Sequence, residues 1–254
     1  MKDCINFFIT KPTTLAYPLR KTKSKLKGME NLSARVYHEI KGLILRNEIM
    51  PGQKLQHQEL SDRLGVSRTP VREALTRLVQ EGYVSLLPNR GFICKEIRMQ
   101  EADELYDLRE ALEAFAVEKA VEKLDDAVLE RLRQTADLYG RDTQKRFTRE
   151  RLLYDQELHL QIADIAGNET LTKTLRQVFE RIVLKRKTDG LYDQTRGLGA
   201  HREHVELLRA MERRDAKEAV RIIREHIREG KKNVLADLQQ RKEIWNLHFD
   251  SEMS

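Results

Sequence analysis

The stretch Val66–Leu75 reads Val-Ser-Arg-Thr-Pro-Val-Arg-Glu-Ala-Leu and predicts a turn followed by a helix. Ser67 suits the N-cap position, and Pro70 falls in the first helical turn, where its missing N–H costs nothing. The apolar positions continue through Leu78, and Gly82 ends the helix. This is the pattern of the second helix in a helix-turn-helix.

Two further helices are predicted before this one. Apolar residues recur at helical spacing from Leu32 to Ile44, and Pro51 ends the run. A shorter helix is predicted at about residues 57–64, and Gly65 makes the turn into the next helix.

A β-hairpin is predicted on the other side. Residues 83–87 and 92–95 are mostly apolar and flank the turn sequence Pro-Asn-Arg-Gly at 88–91. Helix, helix-turn-helix and hairpin together predict a winged helix-turn-helix domain at residues 29–98.

The chain beyond residue 98 has helical periodicity throughout. Six helices are predicted, near residues 101–123, 126–140, 147–166, 169–188, 198–213 and 215–240. Their short connections predict an antiparallel α-helical bundle at 99–240, followed by a C-terminal tail at 241–254. The predicted fold class is therefore mainly α, with a winged helix-turn-helix before a bundle of about six helices.

The net charge of +6 on the 254 residues is unevenly distributed. Residues 1–28 carry seven Lys and Arg against Asp3 alone, residues 29–98 carry eleven against eight acidic side chains, and residues 99–254 carry 29 against 32. We expect 1–28 to be a disordered basic leader, with translation from Met29 as one explanation. The alternative is a basic arm that contacts DNA phosphates.

Composition excludes several classes of protein. Hydrophobic residues make up 40% and charged residues 35%, which is typical of a soluble globular chain, and no uncharged run approaches the length of a membrane span. The two cysteines, Cys4 and Cys94, form no disulfide framework and fit a reducing compartment. We expect a cytoplasmic protein without a membrane partner.

The motif at 66–75, preceded by Pro51-Gly52 and followed by Glu81-Gly82 and Arg90-Gly91, resembles the GntR family of bacterial transcription regulators. The resemblance covers residues 33–97 and implies binding to double-stranded DNA. The chain departs from the family at Gln58, where members often have Arg.

The exposed face of the predicted recognition helix suits DNA. Its N-terminal end enters the major groove, where Ser67 and Thr69 can donate to phosphates. Arg68 and Arg72 lie one turn apart and can reach guanine or phosphate oxygens. Arg77 lies further along the helix, within reach of the DNA backbone.

In the predicted wing, Arg90 and Gly91 bring a charge and a bare backbone against the adjacent minor groove. The alternative for all of these arginines is a solvated helix face.

An aspartate and three histidines are predicted to converge in the bundle. Asp155 and His159 are four residues apart on the apolar side of one helix. His204 and His226 lie equally far from Asp215, which is at the predicted turn between the last two helices. If those two helices are antiparallel, both histidines lie at the same level along the bundle axis.

Imidazole with carboxylate is typical of a divalent cation site, with Zn as the first expectation and Ni, Mn, Fe or Co as alternatives. His201 is a rival to His204 as the third imidazole. The alternative to a metal site is a polar core whose groups satisfy one another.

Residues 100–235 resemble the FCD domain, the ligand-binding domain of FadR-type GntR proteins, in its metal-binding form. The residues that carry the resemblance are Leu108-Arg109, Glu113, Asp155, His159, Gly167-Asn168, Glu203-His204 and His226-Ile227. The resemblance implies a cation held by Asp155 and the three histidines, and a carboxylate effector that fills its open positions.

Arg109 is then a second anchor for the carboxylate, with an Arg–Glu pair on a helix surface as the alternative, and Asn168 is assigned to the effector site with it. We expect a homodimer on a palindromic operator, and a repressor rather than an enzyme. Two alternatives remain: a metal-dependent enzyme, with Glu157 or Glu203 as general base, and a purely structural metal.

Overall fold

The computed structural model describes residues 32–46, 48–141, 149–186 and 194–252. The predicted leader, residues 1–28, lies outside these ranges. The described residues form nine helices and three strands. None of these helices has both the length and the apolar composition needed to cross a membrane.

The N-terminal domain has the predicted elements in the predicted order, together with one further strand, β1. They are α1 (Leu32–Leu45), β1 (Lys54–Leu55), α2 (His57–Leu64), α3 (Arg68–Gln80), β2 (Val84–Leu87) and β3 (Gly91–Cys94). α3 packs against α1 and α2 through the apolar side that carries Val71, Leu75 and Leu78, which are fully buried. Gly65 ends α2 in the left-handed region, at a φ of 64°, and turns the chain into α3.

The three strands form one antiparallel sheet in the order β1-β3-β2. β2 and β3 are the predicted hairpin, and its turn places Asn89 and Gly91 at positive φ. β1 was not predicted, because two residues are too short to show a period. It pairs Leu55 with Phe92, and both side chains are buried in the domain core.

The C-terminal domain is the predicted helical bundle. Its helices are α4 (Met99–Lys123), α5 (Asp126–Arg141), α6 (Arg149–Ala166), α7 (Glu169–Lys185), α8 (Gln194–Glu212) and α9 (Ala216–Glu252). α4 packs against α6, α7 and α9, and α8 packs against both α5 and α9. The core between them contains Val117, Leu158, Leu207 and Ile223.

Three helix boundaries in the bundle differ from the predictions by three residues or more. α8 begins at Gln194, and both Gly197 and Gly199 are helical, although the glycines predicted a break there. α9 continues through Glu252, so most of the predicted tail at 241–254 is the end of this helix. α7 ends at Lys185, three residues early.

The two domains share apolar packing. Leu153 of α6 and Val183 and Leu184 of α7 belong to the same buried cluster as the helices of the N-terminal domain. Beside this contact, Lys41 of α1 forms an ion pair of 2.6 Å with Glu180 of α7. Two helices of the bundle therefore contact the winged helix-turn-helix directly.

Candidate functional site

A groove of about 690 Å³ lies between the start of α3 and the hairpin. The predicted DNA contacts that line it are Arg68, Thr69, Arg72, Arg90 and Gly91. β1 adds a further cation, Lys54, which the sequence analysis did not include. No carboxylate is among the described residues that line the groove. Its charge therefore suits a phosphate backbone.

Ser67 occupies the N-cap position of α3, as predicted, but its side chain makes no capping hydrogen bond. The residue is exposed at the helix N-terminus. Its hydroxyl is therefore in a position to donate to an anion outside the helix, where the helix dipole favours negative charge.

Gln58 is hydrogen-bonded to the recognition helix. Its Oε1 accepts from Arg68 Nε at 2.6 Å, and its Nε2 donates to Asp62 Oδ1 at 2.7 Å. The residue that departs from the family pattern thus holds one of the predicted base-reading arginines. An arginine at this position could not accept a hydrogen bond from Arg68.

Arg77 points toward α1 and is not among the residues that line the groove. Its guanidinium lies 3.9 Å from the ring centroid of Tyr37, and its Nε donates to Glu81 at 3.0 Å. Arg77 therefore packs between helices, and its approach to the DNA backbone stays a prediction.

The second site lies inside the bundle, where three helices bring the four predicted ligands together. α6 carries Asp155 and His159, α8 carries His204 and α9 carries His226. One potential ligand atom from each side chain lies within 4.8 Å of the other three. Asp155 Oδ1 is 3.4 Å from His204 Nε2 and 3.8 Å from His159 Nε2.

His201 does not belong to this cluster. Its ring stacks on Tyr139, with centroids 6.5 Å apart, and lies where a Cβ at Gly140 would be. His201 and His204 are neighbours on one side of α8, about 60° apart, but the His201 ring lies against α5 at Gly140 while His204 faces the cluster. His204, and not His201, therefore lies in the cluster with Asp155, His159 and His226.

The four side chains fit a divalent cation. His159 and His204 are buried, and the Nε2 atoms of both complete no hydrogen bond within the described residues. A buried polar atom without a partner costs about 1–3 kcal/mol. Three imidazoles and one carboxylate form the donor set that Zn²⁺ and its neighbours accept, and a bound cation would satisfy these atoms.

Two glutamates hold the outer nitrogens of the histidines. Glu113 Oε2 contacts His159 Nδ1, and Glu203 Oε2 lies 2.7 Å from His226 Nδ1. A carboxylate on Nδ1 fixes the ring and its tautomer and leaves Nε2 for a metal. Glu203, one candidate base of the enzyme alternative, is thus engaged in orienting a ligand. The other, Glu157, accepts a hydrogen bond from Gln161 at 3.0 Å.

The electrostatic environment gives the histidines opposite protonation tendencies. Burial, with the charges of His226 and His159, lowers the pKa of His204 to about 3, although Asp155 opposes this change. Burial also acts to lower the pKa of His159, but Glu113 and Asp155 outweigh it and raise this pKa to about 9. Without a cation, a proton on His159 therefore balances the carboxylates, and metal binding would displace it.

Arg109 lies beside the cluster, as the resemblance implies. It lines a small cavity of about 50 Å³ that also borders Asp155 and His226. The side chain is buried, its Nε donates to Glu113 Oε1 at 2.8 Å, and its guanidinium lies 4.2 Å from the ring centroid of Phe179. A guanidinium is thus fixed beside two of the predicted cation ligands, Asp155 and His226.

Asn168 is not among the residues that line this cavity. It occupies the N-cap position of α7, where its side-chain oxygen accepts from the Leu171 N–H at 3.1 Å. The structure therefore corrects the assignment of Asn168 to the effector site: an asparagine before a helix satisfies the helix N-terminus.

Two arginines of the cavity were missed. Arg151 and Arg186 line it and are buried. The sequence contained a signal for Arg151, which lies four residues before Asp155 on α6 and so shares its face. No periodicity places Arg186, because it follows the last residue of α7.

Both domains match described families. Residues 32–93 match the bacterial regulatory proteins of the gntR family, and residues 104–229 match the FCD domain. The two matched ranges coincide with the winged helix-turn-helix and the helical bundle.

Similar proteins share this arrangement over most of their length. The Nta operon transcriptional regulator of Aminobacter aminovorans is 32% identical over 203 residues, which are 79% of this chain and 94% of that protein. The transcriptional repressor RspR of Escherichia coli is 22% identical over 225 residues, 88% of this chain and 97% of that protein. The solved structure of E. coli McbR/YncC has a TM-score of 0.69 at 25% identity, covering 84% of this chain and 100% of that one.

These similarities agree with the structure, which has a basic groove in a winged helix-turn-helix and a histidine-rich helical bundle. The chain belongs to the GntR family of DNA-binding transcriptional regulators and carries an FCD domain.

Proposed function

We propose that the chain is a homodimeric repressor that loses affinity for a palindromic operator when a small organic acid binds in its FCD domain. The acid binds at a divalent cation held by Asp155, His159, His204 and His226. The main support for this proposal is the position of α6. This helix provides two of the four ligands and also contributes Leu153 to the core of the DNA-binding domain.

The DNA-binding residues have distinct roles in this proposal. Arg68 and Arg72 read base edges in the major groove, while Ser67 and Thr69 bind phosphates at the start of α3. Arg90 and Gly91 place the wing on the minor groove. All except Ser67 line one groove, which supports a single DNA surface.

The cation supplies a Lewis-acidic point that attracts a carboxylate, and Zn²⁺ is the metal that we propose. The residues of the chain do the rest. Glu113 and Glu203 orient two of the histidines, and Arg109 binds the acid beside the cation.

Helices α6 and α7 contact both the acid site and the DNA-binding domain, so they can transmit the effect of acid binding. His159 packs against Phe179 of α7, with ring centroids 5.7 Å apart. The next residue on α7, Glu180, pairs with Lys41, and Val183 is buried against the DNA-binding domain. A shift of α6 or α7 on acid binding therefore moves the domain that holds the operator.

A sensor function explains why the helical bundle is on the same chain as a DNA-binding domain. An enzymatic function does not explain this. The similarity to the E. coli repressor RspR supports a negative effect on transcription.

Metal content and thermal stability test the ligand set. Wild-type protein, His204→Ala and His201→Ala are purified alike, and bound Zn²⁺ is measured by mass spectrometry. The His201 variant is a matched control, since it removes an imidazole from the same helix outside the cluster. We expect about one Zn²⁺ per chain in the wild type and in His201→Ala, and a clear loss in His204→Ala.

Thermal midpoints then separate the three kinds of metal site. For a sensor, short carboxylic acids raise the midpoint of metal-loaded protein and do not affect the chelated protein. An acid held at 100 times its Kd adds about 2.7 kcal/mol of stability. A purely structural metal gives no acid effect and contradicts the proposal, and turnover of any acid would favour an enzyme.

A further inference from the structure

Apolar side chains form an exposed stripe along α4. Leu108 and Phe115 lie seven residues apart, which is two helical turns, and they are 41% and 45% exposed. Ala111 is exposed between them, and Leu112 is half-buried at the edge. We call these four residues the α4 stripe. Single exposed apolar residues are normal on a protein surface, but an aligned set of them is typical of an interface.

The α4 stripe lies on the outer side of its helix. The helices α6, α7 and α9 pack against the other sides of α4. On the side of α9, Glu110 pairs with Arg228 at 2.6 Å, and on the side of α7, Leu112 packs against a cluster that includes Leu175. The stripe lies between these two contacts, where another molecule can reach it.

A charged residue lies at each end of the stripe, and the two have opposite signs. Glu104 comes four residues before Leu108, and Lys119 comes four residues after Phe115, so both lie on the same side of α4 as the stripe. These two residues are about 22 Å apart along the helix and do not pair with each other within one chain.

The contacts of Glu104 and Lys119 with their own helix leave both charges available. Glu104 Oε1 accepts from the neutral Gln100 at 2.9 Å, and Lys119 Nζ reaches Glu122 only at 3.4 Å. The Lys119 side chain is 37% exposed. Each end of the stripe can therefore accept a partner of opposite charge.

The stripe is complementary to itself when a second copy of α4 is turned end for end. With a two-fold axis between Ala111 and Leu112, Leu108 of one copy faces Phe115 of the other. In the same register, Glu104 of one copy faces Lys119 of the other. Symmetry repeats each contact, so two ion pairs flank an apolar centre. The small side chain of Ala111 lets the two helices approach closely at this centre.

We infer that a second copy of this chain docks on the α4 stripe, antiparallel and in this register. The inference rests on the proposed function, which requires a homodimer. A parallel pair of α4 helices would bring Glu104 against Glu104 and Lys119 against Lys119. Like charges that face each other disfavour this arrangement.

This interface would place the dimer contact and the acid site on opposite sides of one helix. Arg109 and Glu113 leave the inner side of α4 and are buried at the cation site. Their neighbours in the sequence, Leu108 and Leu112, belong to the stripe. An acid that binds Arg109 thus contacts the helix that joins the two chains.

Leu108→Ala tests the apolar centre of the interface. The dimer Kd of the full-length protein without DNA is measured by fluorescence-detected sedimentation. We expect at least about a tenfold increase in Kd, which corresponds to about 1.4 kcal/mol. Leu138→Ala is the matched control, since Leu138 is a leucine of α5 with 40% exposure, and it should change Kd less than about twofold. Thermal midpoints verify that both variants fold.

Charge exchange tests the register. Glu104→Lys and Lys119→Glu each turn two attractive contacts into repulsive ones, and we expect each to raise the dimer Kd about fivefold or more. The double variant with both substitutions restores the contacts and should return to within about twofold of wild type. Asp137→Lys, at an exposed position of α5, is the control and leaves Kd unchanged. Rescue must arise between chains, because the two residues do not reach each other within one.

Mixing the two single variants gives an independent readout. Each homodimer of a single variant has two repulsive contacts, whereas both contacts of the mixed dimer are attractive. We therefore expect mixed dimers, counted by native mass spectrometry, to exceed the share that random association gives. A random share would contradict the register.

Other outcomes overturn the inference in distinguishable ways. Dimers that no α4 variant weakens place the homodimer interface elsewhere and leave the proposed function intact. Unchanged Kd in both single charge variants contradicts the antiparallel register. A wild-type chain that is monomeric without DNA overturns the inference and leaves the stripe to a different protein. The homodimer of the proposed function fails only if a full-site operator also binds a single chain.

Discussion

Arg68 enters the DNA groove with its guanidinium already held by Gln58, which is in turn held by Asp62. A side chain that is ordered before binding loses less conformational entropy when it contacts a base. The family departure at Gln58 is therefore compatible with DNA recognition, because the glutamine acts through its neighbour.

Two of the three arginines of α3, Arg68 and Arg72, are expected to read bases. Arg68→Ala and Arg72→Ala should each cost about 1–3 kcal/mol of operator binding and relax specificity at one position per half-site. Arg133→Ala, which breaks an exposed ion pair with Glu212 in the bundle, is the control. The operator affinity of each variant is measured by fluorescence anisotropy. Unchanged affinity in both α3 variants would contradict the assignment of the groove to DNA binding.

Gln58→Ala tests whether the glutamine positions Arg68. We expect operator binding to weaken by about 1 kcal/mol, because Arg68 loses its hydrogen-bond acceptor. The same substitution in an Arg68→Ala background should have little effect, since the two residues then no longer interact. Additive losses in the double variant would show that Gln58 contacts DNA independently.

The four predicted cation ligands show how far the arrangement of a site could be predicted from the spacing of single residues. Spacing alone predicted that Asp155 and His159 share a face and that His204 and His226 meet across an antiparallel turn. The structure confirms this convergence. Asn168 was misassigned because an effector contact and a helix cap require the same polar side chain, and only the backbone geometry distinguishes them.

α6 and α7 are the elements that connect acid binding to DNA binding. α6 carries Arg151, Asp155 and His159 at the site and Leu153 in the core of the N-terminal domain. α7 carries Glu180, whose Oε2 accepts from Lys41 Nζ at 2.6 Å. An effector shifts an equilibrium only by its difference in affinity for the two arrangements, so these contacts must differ between them.

Replacing the Lys41–Glu180 pair by two methionines tests this connection. The double variant avoids a buried single charge, which would be strongly destabilising. We expect acid affinity within about twofold of wild type and an acid effect on operator affinity that falls to less than about threefold. The exposed pair Lys173–Glu169, replaced in the same way, is the control on the same helix.

Calorimetry with acid and anisotropy with operator, on both double variants, separate binding from coupling. An undiminished acid effect in the Lys41/Glu180 variant would show that the signal does not pass through this contact.

Periodicity predicted most helices because their apolar faces are long and regular, and it failed where local chemistry was ambiguous. Glycines at 197 and 199 are typical breakers, yet α8 includes both, and the missing Cβ of Gly197 leaves the space that Arg151 occupies. Apolar residues recur after residue 240 at Ile244, Trp245, Leu247 and Phe249, so the sequence contained a signal for the continuation of α9 to Glu252 that the predicted tail at 241–254 overlooked. β1 depends on pairing with β3, which a local pattern does not show.

The complete regulator is expected to bind a two-fold symmetric operator as a homodimer, because one winged helix-turn-helix reads one half-site. Sedimentation of protein with full-site and half-site DNA measures the stoichiometry. We expect two chains on the full site and weaker binding to the half-site. One chain per full site would contradict the dimer.

The proposal predicts that acid binding, cation binding and DNA binding are coupled in this protein, with the acid changing operator affinity by about 5- to 150-fold. Operator affinity measured against the concentration of a short carboxylic acid, with Zn²⁺-loaded and chelator-treated protein side by side, tests this most directly. We predict that the acid weakens operator binding of the loaded protein and has no effect on the chelated protein, whose binding without acid is retained. An equal response of the chelated protein would contradict the cation at Asp155, His159, His204 and His226 as the anchor of the acid.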